Sequence, residues 1–219
     1  MLGLDQIYIY HILHIDKLES ILRAGAIFCD KIARERYNVG TRIGMQDIKN
    51  FRLTKPLISY PDLMVGSCTP FYFCPRSVML FIIYKGDHPN LDYKGGQFPI
   101  LHIVANFNKT IDWANANCKR WVFTNVNARA KYAEDFNQIK DLDKIDWEAV
   151  NAQDWREKKE HKQAEFLVEG FFPIQLIESI GVYNAEYQSK VMSILAKYSI
   201  CSINVPIMKD WYYQKGSEL

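Results

Sequence analysis

The chain has 219 residues, 48% of them hydrophobic and 24% charged, with a net charge of +2. This is a globular composition with room for a substantial core, and one domain over residues 1–219 is expected because no linker interrupts it. So small a net charge excludes a uniformly basic coat, and no apolar run approaches the roughly 18 residues of a membrane span.

Five cysteines stand at positions 29, 68, 74, 118 and 201 without a Cys-x-x-Cys pair, which argues against a disulfide framework or a zinc site. The N-terminus lacks the charged, apolar and small-residue succession of a secretory signal, so a reducing cytoplasm is the expected location.

Gln6 to Tyr10 alternate enough for a first strand, continued by His11-Ile12-Leu13-His14. Asp16 stands where an N-cap belongs, with Glu19 at the capping-box position. Leu18, Ile21 and Leu22 then form one apolar face and Gly25 ends the helix. Ala26 to Cys29 reads as a short strand. Residues 30–56 carry little apolar periodicity, the pattern of a lid or binding loop or of a surface excursion without function.

Two prolines flank Phe71-Tyr72-Phe73, which predicts a short strand with fixed ends, and the apolar run Val78–Tyr84 follows. Ile100–Ala105 and Trp121–Thr124 read as strands. Thr124 or Asn125 can cap a helix through about Phe136, and Asp143–Lys159 is helical in part. Leu176–Tyr183 is predicted as a strand, Asn184 as the cap of a helix with Tyr187, Val191, Ile194, Leu195 and Tyr198 on one face, and Ser202–Ile207 as a last strand. Strands with mixed-length connections and helices early and late make an α+β chain.

His161-Lys162-Gln163-Ala164-Glu165-Phe166-Leu167-Val168-Glu169 runs from a charged loop into a strand. Gln163 and Glu165 share one face, while Ala164, Phe166 and Val168 take the other. A glutamate at the mouth of a buried strand either pairs with a lysine or faces water, or its charge serves a cation such as an oxocarbenium-like sugar. Glu169 lies on the same face as Glu165 and is the competing candidate.

His11 and His14 resemble a metal pair, but no acid or cysteine cluster completes it, which favours structural or hydrogen-bonding histidines over metal ligands. No phosphate-binding glycine loop and no nucleophile elbow is present. Two basic stretches interleave aromatics: Lys119-Arg120-Trp121 through Arg129, Lys131 and Tyr132, and Trp155-Arg156-Glu157-Lys158-Lys159-Glu160-His161-Lys162. Either could hold a nucleic acid single strand, and either could be a solvated face.

Three segments in this order resemble the DarT family of bacterial toxins, which are DNA ADP-ribosyltransferases of toxin–antitoxin systems. They are Tyr10–Leu18 with Ser20-Ile21-Leu22 and Gly25, then Val65-Gly66-Ser67 with Pro70–Phe73 and Pro75-Arg76-Ser77, and finally Lys162–Val168. The resemblance covers nearly the whole chain. It implies an ADP-ribosyltransferase-like fold, a split mixed β-sheet with a central NAD cleft and peripheral helices. It also implies transfer of ADP-ribose from NAD to a base of single-stranded DNA, thymine in the best-known branch and guanine in another, with release of nicotinamide.

The same resemblance implies Glu165 and Arg52 as catalytic. His11, His14, Leu22, Gly25, Tyr72 and Arg52 are the implied contacts of NAD. Arg156, Lys158, Lys159, His161, Lys162 and Gln163 are the implied contacts of DNA. Segment 30–51 becomes the lid over NAD and roughly 153–164 the loop that presents DNA. NAD is a co-substrate, no metal is implied, and a macrodomain antitoxin is the expected protein partner, with no membrane involved. The rival readings are a guanine-specific DNA, an RNA or a protein ADP-ribosyltransferase, and a non-enzymatic single-strand binder.

Overall fold

The computed structural model describes residues 6–36 and 40–214. Its first strand, β1 (Tyr8–His14), buries Ile9 and Leu13 on one face. Helix α1 (Leu18–Ala24) follows and stops at Gly25, whose φ of 73° is the left-handed cap that glycine takes without steric cost. Then come β2 (Ala26–Phe28), α2 (Asp30–Arg36), α3 (Gln46–Arg52), β3 (Cys68–Tyr72) and α4 (Val78–Lys85), the last capped by Ser77 Oγ accepting from Leu80 N–H. The middle holds β4 (Ile100–Asn106), α5 (Phe107–Ala116), β5 (Trp121–Thr124), β6 (Asp135–Phe136) and α6 (Trp147–Asn151). The chain closes with β7 (Glu165–Glu169), β8 (Phe171–Pro173), β9 (Ser179–Gly181) and α7 (Ala185–Lys197). Among the described residues no helix is long and apolar enough to cross a membrane.

Seven strands form one sheet in the order β6-β5-β7-β3-β1-β4-β9, and β2 pairs with β8 beside it. The named strands pair antiparallel. Parallel bridges from Asn204 to Ser179 and from Ile207 to Val182 add the C-terminal segment. The sheet is split at its centre. β1 and β3 share a single register pair, Tyr10 with Tyr72, whereas β1 and β4 pair along all of β1. Two half-sheets therefore meet at one point and part on either side of it.

Phe71, Phe107, Phe123, Phe166 and Phe172 are fully buried in the larger core, each adding roughly 1.5–3 kcal/mol by the area it removes from water. A second cluster packs α4 against Tyr212 and Tyr213 and includes Ile43 and Met45 from the segment before α3. β4 is buried along its whole length, which explains its unbroken apolar run.

Four local expectations differ. Asp16 does not cap α1, because the helix is entered through a 3-10 turn and its carboxylate accepts instead from Thr41 N–H at 3.0 and 2.9 Å and from Thr41 Oγ–H at 2.5 Å. No helix forms over 125–136. Asn127 Oδ1 accepts from Arg129 N–H, an Asx turn, and Ala128 N–H is committed to Glu165, so neither donor is left for a helical ladder. The strand expected over Leu176–Tyr183 shortens to β9, with a 3-10 turn at Ile174–Leu176. Ser202–Ile207 contributes only the two parallel bridges.

Candidate active site

A cavity of about 270 Å³ opens where the half-sheets part. β1 supplies His11 to it, β3 supplies Pro70 and Tyr72, and β7 supplies its first residue, Glu165. Segment 30–52 walls the other side with Asp30, Ile43, Met45, Lys49 and Arg52 among others, while residues 37–39 of the expected lid lie outside the described residues. Two ties hold this wall: the Asp16–Thr41 clasp, and Lys49 Nζ on Asp30 Oδ1 at 2.6 Å, which joins α3 to α2.

Glu165 is 3% exposed and Arg52 8%. Arg52 Nη1 lies 3.0 Å from Glu165 Oε1 and 2.9 Å from Oε2, and Ala128 N–H donates to Oε1 at 3.1 Å. Glu165 N–H donates to Thr124 Oγ1 at 3.0 Å, which pins the start of β7 to the end of β5. Burial disfavours the Arg52 charge, but Glu165 and Asp30 together more than offset it, so the guanidinium is held above its ordinary range. Its Nη2 is buried with no hydrogen-bond partner among the described residues. An unmet buried donor on a cavity wall is costly unless a ligand oxygen meets it.

His11 Nδ1 lies 2.8 Å from the Pro70 carbonyl, which can only accept, so Nδ1 carries the proton and Nε2 is left as an acceptor. Burial pushes the His11 pKa down and keeps the ring neutral. The bond also bridges the two half-sheets. Tyr72 stands opposite Glu165 in the β3–β7 register. Burial, reinforced by the Glu165 charge, pushes its phenol well up, so it stays neutral.

The structure brings Glu165, Arg52, His11, Tyr72 and Gln163 to one cavity, but not the other expected residues. His14 lies outside the lining, with Nδ1 2.9 Å from Asp16 Oδ1 and its ring against Tyr93, because it ends β1 where the chain turns away. Leu22 is packed in the larger core, and Gly25 serves as the helix cap.

The basic loop before β7 divides. Lys162 is 2% exposed and donates to the carbonyls of Val150 at 2.5 Å and Ala152 at 2.8 Å, so it anchors the loop and cannot reach a phosphate. Burial lowers its pKa. Arg156 is exposed but paired with Asp154, and Lys158 is paired with Glu148. Lys159 and His161 are exposed. The rival Glu169 does not line the cavity: Arg120 clasps it through Nε at 2.9 Å and Nη2 at 2.8 Å and holds its carboxyl below the usual range.

Asn127 is a polar lining residue that sequence reading missed. Arg129 N–H donates to its Oδ1 at 2.9 Å, which turns its Nδ2 toward Gln163 Oε1 at 2.8 Å, and Gln163 Nε2 then donates to the Lys159 carbonyl at 3.0 Å. The polarity of both amides is thereby set from one backbone N–H. The one signal for Asn127 in the sequence is the Asx-turn potential of Asn127-Ala128-Arg129, which marks a turn and not a cavity wall.

A family model described as "ssDNA thymidine ADP-ribosyltransferase, DarT" matches residues 10–213. A DNA ADP-ribosyl transferase of Thermus sp. (strain 2.9) is 38% identical over 213 residues, covering 94% of this chain and 95% of the relative. The structure of Thermus sp. 2.9 DarT in complex with ADP-ribosylated ssDNA matches with a TM-score of 0.85 at 36% identity, covering 94% of this chain and 96% of that one. The same protein in complex with NAD+ matches with a TM-score of 0.79 at 36% identity, covering 94% and 98%.

Proposed function

The chain belongs to the DarT family of single-stranded DNA thymidine ADP-ribosyltransferases, and on that premise we propose that it transfers ADP-ribose from NAD to a thymine base in the cavity over Glu165. One observation carries the assignment of the site: a carboxylate 3% exposed, held between a guanidinium and a backbone N–H on the wall of that cavity.

In this reading the glycosidic bond between ribose and nicotinamide breaks and its electron pair leaves with nicotinamide. Glu165 opposes the positive charge that develops on the ribose, at short range and out of bulk water, where a fixed charge is worth most. Oε1 already takes two hydrogen bonds, and Oε2 takes the Arg52 contact alone, so Oε2 is the oxygen offered to the sugar. A thymine ring nitrogen then bonds to the same ribose carbon. Its proton passes to Glu165 and from there to water.

Arg52 Nη2, the unmet donor, fits an oxygen of the pyrophosphate or of the base as the ring nitrogen loses its proton. His11 Nε2 accepts from a ribose hydroxyl or the nicotinamide amide, and Tyr72 offers a neutral ring for nicotinamide to stack on. Gln163 and Asn127 present a preset amide edge to the base. The acceptor is single-stranded because a duplex hides the target edge in its base pairs. Family membership further supports a toxin role with a macrodomain antitoxin that removes the mark.

Mass spectrometry of thymine-only and guanine-only oligonucleotides after incubation with protein and NAD tests this. An ADP-ribose adduct confined to the thymine oligonucleotide is expected. An adduct on guanine alone reassigns the base, and an adduct on neither defeats the proposal.

A further inference from the structure

Of the two basic, aromatic stretches in the sequence, the one before Glu165 is largely spent. With Arg156 on Asp154, Lys158 on Glu148 and Lys162 buried, Lys159 is its remaining cation, alongside Glu157 and Glu160. In the other stretch Arg120 is taken by Glu169 and Asp62, but the part that follows Thr124 keeps its charge. In the loop found where a helix was expected over 125–136, Ala128 and Ala133 point inward and are buried, while Arg129, Lys131 and Tyr132 project outward. Tyr132 is 65% exposed, and neither Arg129 nor Lys131 has an ion-pair partner among the described residues.

This loop is rigidly joined to the catalytic charges. Ala128 N–H donates to Glu165, Asn127 lines the cavity, and Lys55 Nζ donates to the carbonyls of Ala128 and Ala130 at 2.6 Å each. Lys55 lies three residues beyond Arg52, and its N–H bonds the carbonyl of Phe51, a residue 44% exposed. Two unpaired cations and an exposed tyrosine thus stand within five residues of the cavity wall.

We propose that the acceptor strand runs along residues 129–132, with Arg129 and Lys131 on its phosphates and Tyr132 stacked on a base, and enters the cavity past Asn127. This rests on the proposed function and says where on the molecule the DNA lies. Two cations next to an exposed aromatic are what a single strand needs: the charges follow the backbone while any base face can stack. The loop carries no acidic residue between Asn127 and Ala133 to oppose it.

The test is the affinity for a fluorescent thymine oligonucleotide across a salt series, with NAD affinity measured alongside by calorimetry. The double variant R129A/K131A is expected to lower the slope of log affinity against log salt by about 1.4, two charges at roughly 0.7 each. Tyr132→Ala is expected to weaken binding about 5- to 150-fold while Tyr132→Phe does not. All three side chains are exposed, so NAD affinity is expected to stay at the wild-type value, which also reports that the variants are folded. R156A/K158A is the contrasting variant, and its slope is expected to change by less than that of one lost charge. If wild-type protein neither binds nor modifies the oligonucleotide, the proposed function itself fails. If wild type does both, and R129A/K131A keeps the wild-type slope or R156A/K158A loses more of it, this inference alone is overturned.

Discussion

Strand β7 carries an Arg–Glu pair at each end, and the two pairs behave as different devices. Glu169 with Arg120 has the better geometry, two parallel N–H···O bonds with a third donor from the Arg120 backbone, and Arg120 also reaches Asp62. It is partly solvated and its hydrogen-bonding groups are satisfied. Glu165 with Arg52 has the poorer geometry, one Nη1 shared between two oxygens and Nη2 left over, and it is buried on a cavity wall. A pair built only for stability would satisfy its donors. An incomplete pair in a low dielectric instead holds charge ready for something that arrives.

Breaking the buried pair is expected to have the largest effect. Glu165→Gln keeps the shape and is expected to reduce DNA modification by about 10²–10³-fold, the scale of removing one aimed electrostatic group. Both substitutions remove the counter-charge of Arg52; Glu165→Ala also removes the hydrogen-bonding group beside it and is expected to destabilise the fold by about 3–5 kcal/mol, read by urea unfolding. Modification by Glu165→Gln at the wild-type rate would break the distinction between the two ends of β7.

A smaller effect is expected at the amide relay. Asn127→Ala frees Gln163 to rotate, and a loss of about tenfold in kcat/KM for the thymine oligonucleotide is expected, the scale of one or two hydrogen bonds of positioning. NAD affinity unchanged in the same variant would separate base positioning from cofactor binding.

Glu169→Gln is expected to leave modification within about twofold of wild type and to cost about 1 kcal/mol or less, the range of partly exposed pairs. Its pH dependence sharpens the contrast. Arg120 depresses the Glu169 pKa, so this stabilisation is complete above the unfolded value of about 4.3 and fades only as pH falls through the lower folded value. The difference in melting temperature between wild type and Glu169→Gln is therefore expected to be the same at pH 7 and pH 5.

Both proteins are nonetheless expected to melt earlier at pH 5. His102 is fully buried, and burial lowers its pKa to about 4, so its contribution is present above about 6.5 and is lost as pH falls toward 4. Replacing His102 by Gln is expected to flatten that common decline, which a melting series across pH 7 to 5 would show.

Much of the scaffold could be read from short stretches. The first strand, the helix closed by Gly25, the strand over 100–106 and the helix after Asn184 each announce themselves through periodicity and caps spanning a few neighbours. Local pattern marked Glu165 only as a carboxylate at the border between a charged loop and an apolar strand, with Glu169 as a rival on the same face; the choice between them came from the family resemblance. The helix expected after Thr124 failed because two donors it needed, those of Ala128 and Arg129, are claimed by a residue 37 positions away and by a side chain two positions back. Lys162 read as a phosphate contact because its composition is basic, and became an anchor because two carbonyls near residue 150 enclose it.

Local pattern was thus enough to say which segments are strands or helices and which carboxylate starts a buried strand. It could not say that Arg52, 113 positions away, meets Glu165, that Arg120 occupies Glu169, or which basic stretch keeps its charge. Those outcomes are choices of partner between distant segments. A side chain's neighbours in sequence do not encode them, because Coulomb attraction and desolvation depend on what folding packs within a few ångströms.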